Sequence, residues 1–175
     1  MTQIVTSTMI TEVTYDESKN NRFLVKKEWD KSKKKALIIM KNTGITEEVM
    51  QDQTTMYVVN NLSTLGYGTV TIANLYPNIK GKETRAIREQ NLKCIEEAAK
   101  NSDDVIIAVG KGIETNKDAT ERLQIVTEII GGTKARLLET ESISSKRRGM
   151  HPLSPELKRG FALVPYVIKE KKDDK

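Results

Sequence analysis

Short apolar runs alternate with stretches of helical spacing along most of this chain, and that alternation restricts the fold more than any other feature. Ala36-Leu37-Ile38-Ile39-Met40 and Val105-Ile106-Ile107-Ala108-Val109 are uninterrupted apolar runs, the pattern of strands buried on both faces. Thr69 to Leu75 is rich in β-branched residues and reads as another strand, and Ala135 to Thr140 as a further one. Helical spacing fills the gaps at residues 54–65, 84–100 and 118–130; Gly66-Tyr67-Gly68 ends the first and Gly131-Gly132 the last. Thr46, followed by Glu47-Glu48, has the character of a helix N-cap with acids in the first turn. Upstream, weak alternation over residues 1–20, a turn at Asn20-Asn21 and the run Arg22 to Trp29 predict a β-hairpin. Phe161 to Ile168 reads as a last edge strand or a short tail. The expected fold is α/β: a three-layer α/β/α sandwich with a central four-stranded parallel sheet, plus the N-terminal hairpin. Residues 1–168 form one domain in this reading, and 169–175 a charged tail.

Composition narrows the setting. With 37% apolar and 30% charged residues the chain reads as soluble and globular, and its apolar runs are far too short to span a bilayer. The start, Met1-Thr2-Gln3-Ile4-Val5-Thr6, lacks the cationic and apolar regions of a signal peptide. Cys94 is the sole cysteine, so no internal disulfide can form, and a cytoplasmic location without a membrane partner is expected. One cysteine and one histidine supply no zinc or iron–sulfur constellation, so neither metal nor cofactor is expected. A net charge of +5 tilts modestly towards polyanions and must act through clusters such as Lys146-Arg147-Arg148 and Lys158-Arg159. For the first cluster, phosphate contact and a solvated surface are equally consistent readings.

In a parallel sheet the site lies beyond the carboxyl ends of the strands. Four segments collect there: Lys41-Asn42-Thr43-Gly44, Asn74, Gly110-Lys111-Gly112 and Met150-His151-Pro152-Leu153-Ser154-Pro155. The last holds the only histidine, locked beside prolines and followed by cations. Such an imidazole can donate to a developing anion while its other nitrogen is held by the scaffold. A structural turn with a surface histidine is the competing reading. Gly110-Lys111-Gly112 lacks the spacing of a P-loop, and no G-x-G-x-x-G is present, which argues against ATP or dinucleotide binding.

Taken in order, these segments resemble the uracil-DNA glycosylase superfamily over roughly residues 36–161. Met40-Lys41-Asn42-Thr43-Gly44 is similar to that family's water-positioning motif, G-M-N-P-G or G-I-N-P-G. Thr71-Ile72-Ala73-Asn74 is similar to the strand that ends in a uracil-reading asparagine, and Val105 to Gly110 to the third strand. His151-Pro152-Leu153-Ser154-Pro155 with Lys158-Arg159-Gly160-Phe161 is similar to the last motif and its basic patch. The chain also looks like a group of small uncharacterised proteins from phages and mobile elements. It departs from the family pattern where proline is missing from the first loop, Lys41 is inserted, and no aspartate stands in that loop as a base.

The resemblance implies an enzyme that flips uracil out of single- or double-stranded DNA and hydrolyses its N-glycosidic bond, leaving an abasic site. His151 is then expected to donate to uracil O2, Asn42 to orient the water, and Asn74 to read the base edge. Tyr57 is the nearest aromatic to stack on the base, with Tyr76 and Tyr67 as substitutes. Leu153 is expected to wedge into the gap, Ser154 to pinch a phosphate, and Lys146, Arg147, Arg148, Lys158 and Arg159 to grip the strand. Two other classes stay open. One is a non-catalytic nucleic-acid-binding module on the same scaffold. The other is a hydrolase or transferase of free nucleosides or nucleotides, which needs a carboxylate such as Glu139 or Glu141.

Overall fold

The computed structural model of the protein describes residues 2–45 and 47–167. Thr46, Ile168 and the tail 169–175 lie outside the described residues, and with them the N-cap expected at Thr46.

The chain builds β1 (Ile10–Tyr15), β2 (Arg22–Glu28), β3 (Lys34–Asn42), α1 (Gln53–Thr64), β4 (Tyr67–Tyr76), α2 (Arg85–Lys100), β5 (Asp104–Ile107), α3 (Lys117–Gly131), β6 (Arg136–Ser142) and β7 (Phe161–Pro165). The strands form one seven-stranded sheet in the order β1-β2-β4-β3-β5-β6-β7. The pairs β4–β3, β3–β5 and β5–β6 are parallel; β1–β2, β2–β4 and β6–β7 are antiparallel. The sheet is therefore mixed and seven-stranded, with β4, β3, β5 and β6 running parallel inside it, where a central four-stranded parallel sheet plus an N-terminal β-hairpin was expected. The hairpin is part of the sheet: β2 places Leu24 opposite Ala73 and Val25 opposite Ile72 of β4. The physical reason is the edge. Without β2 and β7, β4 and β6 would each present an unpaired row of backbone donors and acceptors.

Side-chain alternation divides the apolar residues into two cores. Ala36, Ile38, Met40, Val70 and Ile72 face α1, through Val58, Val59 and Leu62. Leu37, Ile39, Ala73, Leu75, Val105 and Ile107 face α2 and α3, through Ile95, Ala99, Leu123, Val126 and Ile130. The sheet is thus covered by helices on both faces. The α1 face is completed by Met150, Leu157 and Phe161, from the chain that follows β6. That packing ties the histidine loop to the α1 side.

Local signals set the helix starts. Asp52, Thr84 and Asn116 each accept a backbone N–H from the first turn of α1, α2 and α3. Helix α1 therefore begins at Gln53, seven residues after Thr46, and the acid that caps it lies close to the loops that carry the site.

Candidate functional site

The strand order reverses direction between β3 and β5. From β3 the chain passes through α1 to β4 on one side, and from β5 through α3 to β6 on the other. In open α/β sheets this switch point leaves a crevice beyond the carboxyl ends of the two strands. The loops after β3, β4, β5 and β6 meet around it.

His151 sits on the loop after β6 and is half-buried. Its main chain is held on both sides: Thr140 Oγ1 donates to the Met150 carbonyl at 2.7 Å, and Ser154 N–H to the His151 carbonyl at 2.8 Å. The imidazole Nδ1 accepts the Leu153 N–H at 3.2 Å. An accepting Nδ1 puts the proton of the neutral ring on Nε2. Burial pushes the imidazole below its ordinary pKa, and the charge of Asp52 partly opposes that shift. The result is a neutral ring with one defined donor.

Gly110 forms the adjoining wall. Its N–H donates to the Gly149 carbonyl at 2.9 Å, and a Cβ on it would lie 3.1 Å from the Cβ of His151. Its φ of +76° and ψ of 171° belong to a region open essentially to glycine alone. This glycine is what lets the β5 loop and the histidine loop touch.

At the end of β3, Asn42 is exposed, and its carbonyl accepts from the Asn74 amide at 2.7 Å. Asn74 is buried, 2% exposed, and its own carbonyl accepts from Asn91 at 2.9 Å. Asn42 and Asn74 are therefore brought together, through a contact that fixes the first loop.

Two functional candidates escaped the sequence reading. Asp52 caps α1 by accepting the Thr55 N–H at 2.7 Å, and its other carboxylate oxygen occupies the space of a missing side chain at Gly44. It supplies the acid absent from the first loop, eight residues after Gly44 in sequence but against it in space. Arg22, the first residue of β2, is only 3% exposed; burial lowers its pKa, and Asp52 and Tyr15 counteract this. The signal for Asp52 was an acid directly before a helical pattern, which is N-cap chemistry. For Arg22 the strand pattern gave none.

Other expected site residues are engaged elsewhere. Tyr57 donates its hydroxyl to the Leu157 carbonyl and accepts the Gly160 N–H at 3.1 Å, with its ring 6.2 Å from that of Phe161. In this arrangement it braces the segment after the histidine loop. Tyr67 is bound to Asp104 at the opposite end of the sheet. Tyr76 does lie at the crevice, with the Arg122 guanidinium 4.3 Å from its ring centroid. Leu153 is exposed beside His151, whereas the Ser154 hydroxyl donates to Glu156. In the basic cluster, Lys146 pairs with Glu141, Arg147 with Glu156, and Arg148 with both Glu139 and Glu141. Lys158 and Arg159 are exposed on the turn into β7.

An open cleft of about 480 Å³ lies at the carboxyl ends of β3 and β4, lined by Lys41, Asn42, Thr43, Tyr76, Asn78 and Asn116. Among the described residues no cluster of three or more His, Cys, Asp or Glu is placed to hold a metal ion, and no helix is long and apolar enough to cross a membrane.

The chain belongs to the family described as "Protein of unknown function (DUF1643)", whose model matches residues 22–153. No curated protein and no solved structure matches it. The matched stretch opens at the buried Arg22 and closes two residues past His151, so it takes in the loops after β3, β4 and β5 and the first part of the loop after β6, and leaves out β1 and β7.

Proposed function

We propose that this protein is a DNA glycosylase that hydrolyses the N-glycosidic bond of uracil and leaves an abasic site. The observation that carries this reading is the state of His151: a neutral imidazole, its Nδ1 occupied by a main-chain N–H, beside a glycine turn at the switch point of the sheet. A fixed donor of this kind stabilises charge that develops on a leaving group.

The chemistry follows from that donor. The C1′–N1 bond breaks with its electron pair departing on the uracil ring, a water oxygen bonds to C1′, and the water proton passes to solvent. His151 Nε2–H donates to the uracil oxygen as it gains charge. Asn42 orients the water through its carboxamide, a poor base, so the reaction is dissociative. The Asp52 carboxylate favours the cationic sugar. Asn74 holds the Asn42 main chain, and reading the base requires the contact between them to open. Leu153 fills the gap left by the flipped nucleotide.

A second reading, hydrolysis of a free nucleoside or nucleotide, is favoured by one observation: Lys146, Arg147 and Arg148 are already paired with acids. A polyanion must displace those partners before it gains their charge.

One experiment separates these. Labelled oligonucleotides carrying a single uracil, single-stranded or opposite guanine or adenine, are incubated with wild type, His151→Ala and Asn74→Ala, then treated with alkali; free deoxyuridine is assayed in parallel. Uracil-dependent breaks that fall sharply in both variants support the glycosylase. Release of uracil from deoxyuridine alone supports the second reading. Salt-sensitive DNA binding without either product leaves a binding module.

A further inference from the structure

Lys41 is the residue by which the first loop departs from the resembling motif, and it has no part in the chemistry above. Its ammonium reaches across to the β5 loop, donating to the Gly112 carbonyl at 3.2 Å, and it lines the 480 Å³ cleft. The rest of the lining is neutral: the carboxamides of Asn42, Asn78 and Asn116, the hydroxyl of Thr43 and the ring of Tyr76. No carboxylate is among these residues. The nearby Asp118 is spoken for, accepting from the Tyr76 hydroxyl at 2.6 Å and from Arg122 at 2.9 Å. Thr43 is oriented by its own donation to the Tyr76 carbonyl at 2.9 Å, which leaves its oxygen lone pairs as acceptors and fixes that wall. Asn116 caps α3, so the positive end of a 15-residue helix adds to the ammonium.

A concave site with one cation, several amide donors and no acid fits an oxyanion. Its position relates it to His151. The turn Gly110–Gly112 touches His151 at one end and the Lys41 ammonium at the other, and its outer Cα atoms can be at most ~7 Å apart. The same short turn therefore borders both the histidine loop and the cleft.

We propose that this cleft binds the phosphate attached to the deoxyribose of the substrate, with Lys41 as its phosphate-binding residue. The identity of the sugar and base rests on the glycosylase reading, but the phosphate site does not. The phosphate can come from a free nucleotide or from a strand, and both are included in the test.

Isothermal titration is run with inorganic phosphate, 2′-deoxyuridine, its 5′-monophosphate and a short uracil-containing strand, on wild type, Lys41→Met and Lys41→Arg, with thermal melts confirming folding. The monophosphate or the strand is expected to bind at least tenfold more tightly than the nucleoside. Lys41→Met removes that advantage and Lys41→Arg retains most of it; whichever ligand shows the dependence identifies the source. Lys41-dependent binding of inorganic phosphate with no binding of any uracil ligand sustains the site and removes the glycosylase reading. Equal affinity for nucleoside, monophosphate and strand, phosphate binding untouched in Lys41→Met, or no binding of any probe overturns the proposal. If Lys41→Met fails to fold, Lys41→Gln is read in its place.

Discussion

The two ends of the sheet treat polar groups in opposite ways. At the amino ends of β4, β5 and β6, Tyr67, Asp104 and Arg136 close on one another. Asp104 is fully buried and accepts from the Tyr67 hydroxyl at 2.6 Å and from Arg136 at 2.6 and 2.9 Å. Burial alone raises its pKa, but the bonds from Arg136 and Tyr67 outweigh burial and hold it below the ordinary carboxylate range. At the carboxyl ends a comparable set, Tyr76 with Asp118 and Arg122, stands behind one wall, but the cleft in front of it is open. Asn42 and Lys41 face an open cleft, and His151 uses one nitrogen on a main-chain N–H. A saturated buried network stabilises the fold. An array with donors left over is suited to a ligand.

Substitutions at the two ends are therefore expected to separate stability from activity. On the proposed glycosylase reading the largest effect is that of His151→Ala, expected to lower uracil release by about 10²–10³ through loss of one oxyanion-type donor, with little change in the melting temperature. Single-turnover assays beside thermal melts check it, and an unchanged rate breaks the comparison at the carboxyl end. Next is Asp104→Ala, which costs about 1–3 kcal/mol in urea unfolding by stranding the buried Tyr67 hydroxyl, while the exposed Arg136 turns to water. Uracil release per folded molecule stays at the wild-type level.

Acid titration sharpens the same contrast. The Asp104 carboxyl is depressed in the fold, so its stabilisation is full above the unfolded value, about 3.9, and is lost as pH falls through the lower folded value. His151 is depressed as well, first by burial. Its contribution is present above the unfolded value near 6.5 and declines as pH falls from there towards the folded value. Melting temperatures from pH 8 to pH 2 are expected to show both limbs in wild type. His151→Gln loses the one nearer neutrality and Asp104→Asn the acid one.

The division between what was legible in the chain and what was not follows the same line. Ala36 to Met40 and Val105 to Val109 announced buried strands because a run of branched apolar residues has few other uses. The helical spacing over 84–100 announced a helix, and the structure puts its N-cap at Thr84, whose hydroxyl accepts the Ile87 N–H. The pairing of β2 with β4 was not legible, since residues 22–28 and 69–73 meet only in three dimensions. For the same reason the first loop, taken alone, appeared to lack an acid. Asp52 reaches it across a turn, into space that only the missing Cβ of Gly44 leaves open. His151 and Gly110 were singled out in sequence, but their contact is tertiary. The ion pairs of the basic run Lys146-Arg147-Arg148 were not legible either, because its partners Glu139, Glu141 and Glu156 are brought to it by β6 and the turn before β7.

A smaller effect probes the contact between two loops. Gly110→Ala places a side chain where φ is +76° and the His151 Cβ is 3.1 Å away, at a cost of about 2 kcal/mol of backbone strain. Because the strain is relieved by moving the histidine loop, uracil release is expected to fall more than the loss in folded population explains. A fall that simply tracks stability separates the β5 loop from the site.

The smallest effect concerns Tyr57, which the resemblance put on the base and the geometry puts under the loop. Its hydroxyl bridges the Leu157 carbonyl and the Gly160 N–H, the two ends of the short turn that leads into β7. Tyr57→Phe keeps the ring, and with it the packing on Phe161 and any stacking surface, while removing the bridge. If Tyr57 is a brace, the variant loses about 1 kcal/mol in urea unfolding and its amide exchange quickens at Gly160, with KM for a uracil strand unchanged. Tyr57→Leu, which removes the ring as well, then lowers stability further without a selective loss of substrate affinity. A KM that rises in Tyr57→Leu but not in Tyr57→Phe places the ring against the base, and Tyr57 then belongs with His151 among the groups that meet the ligand.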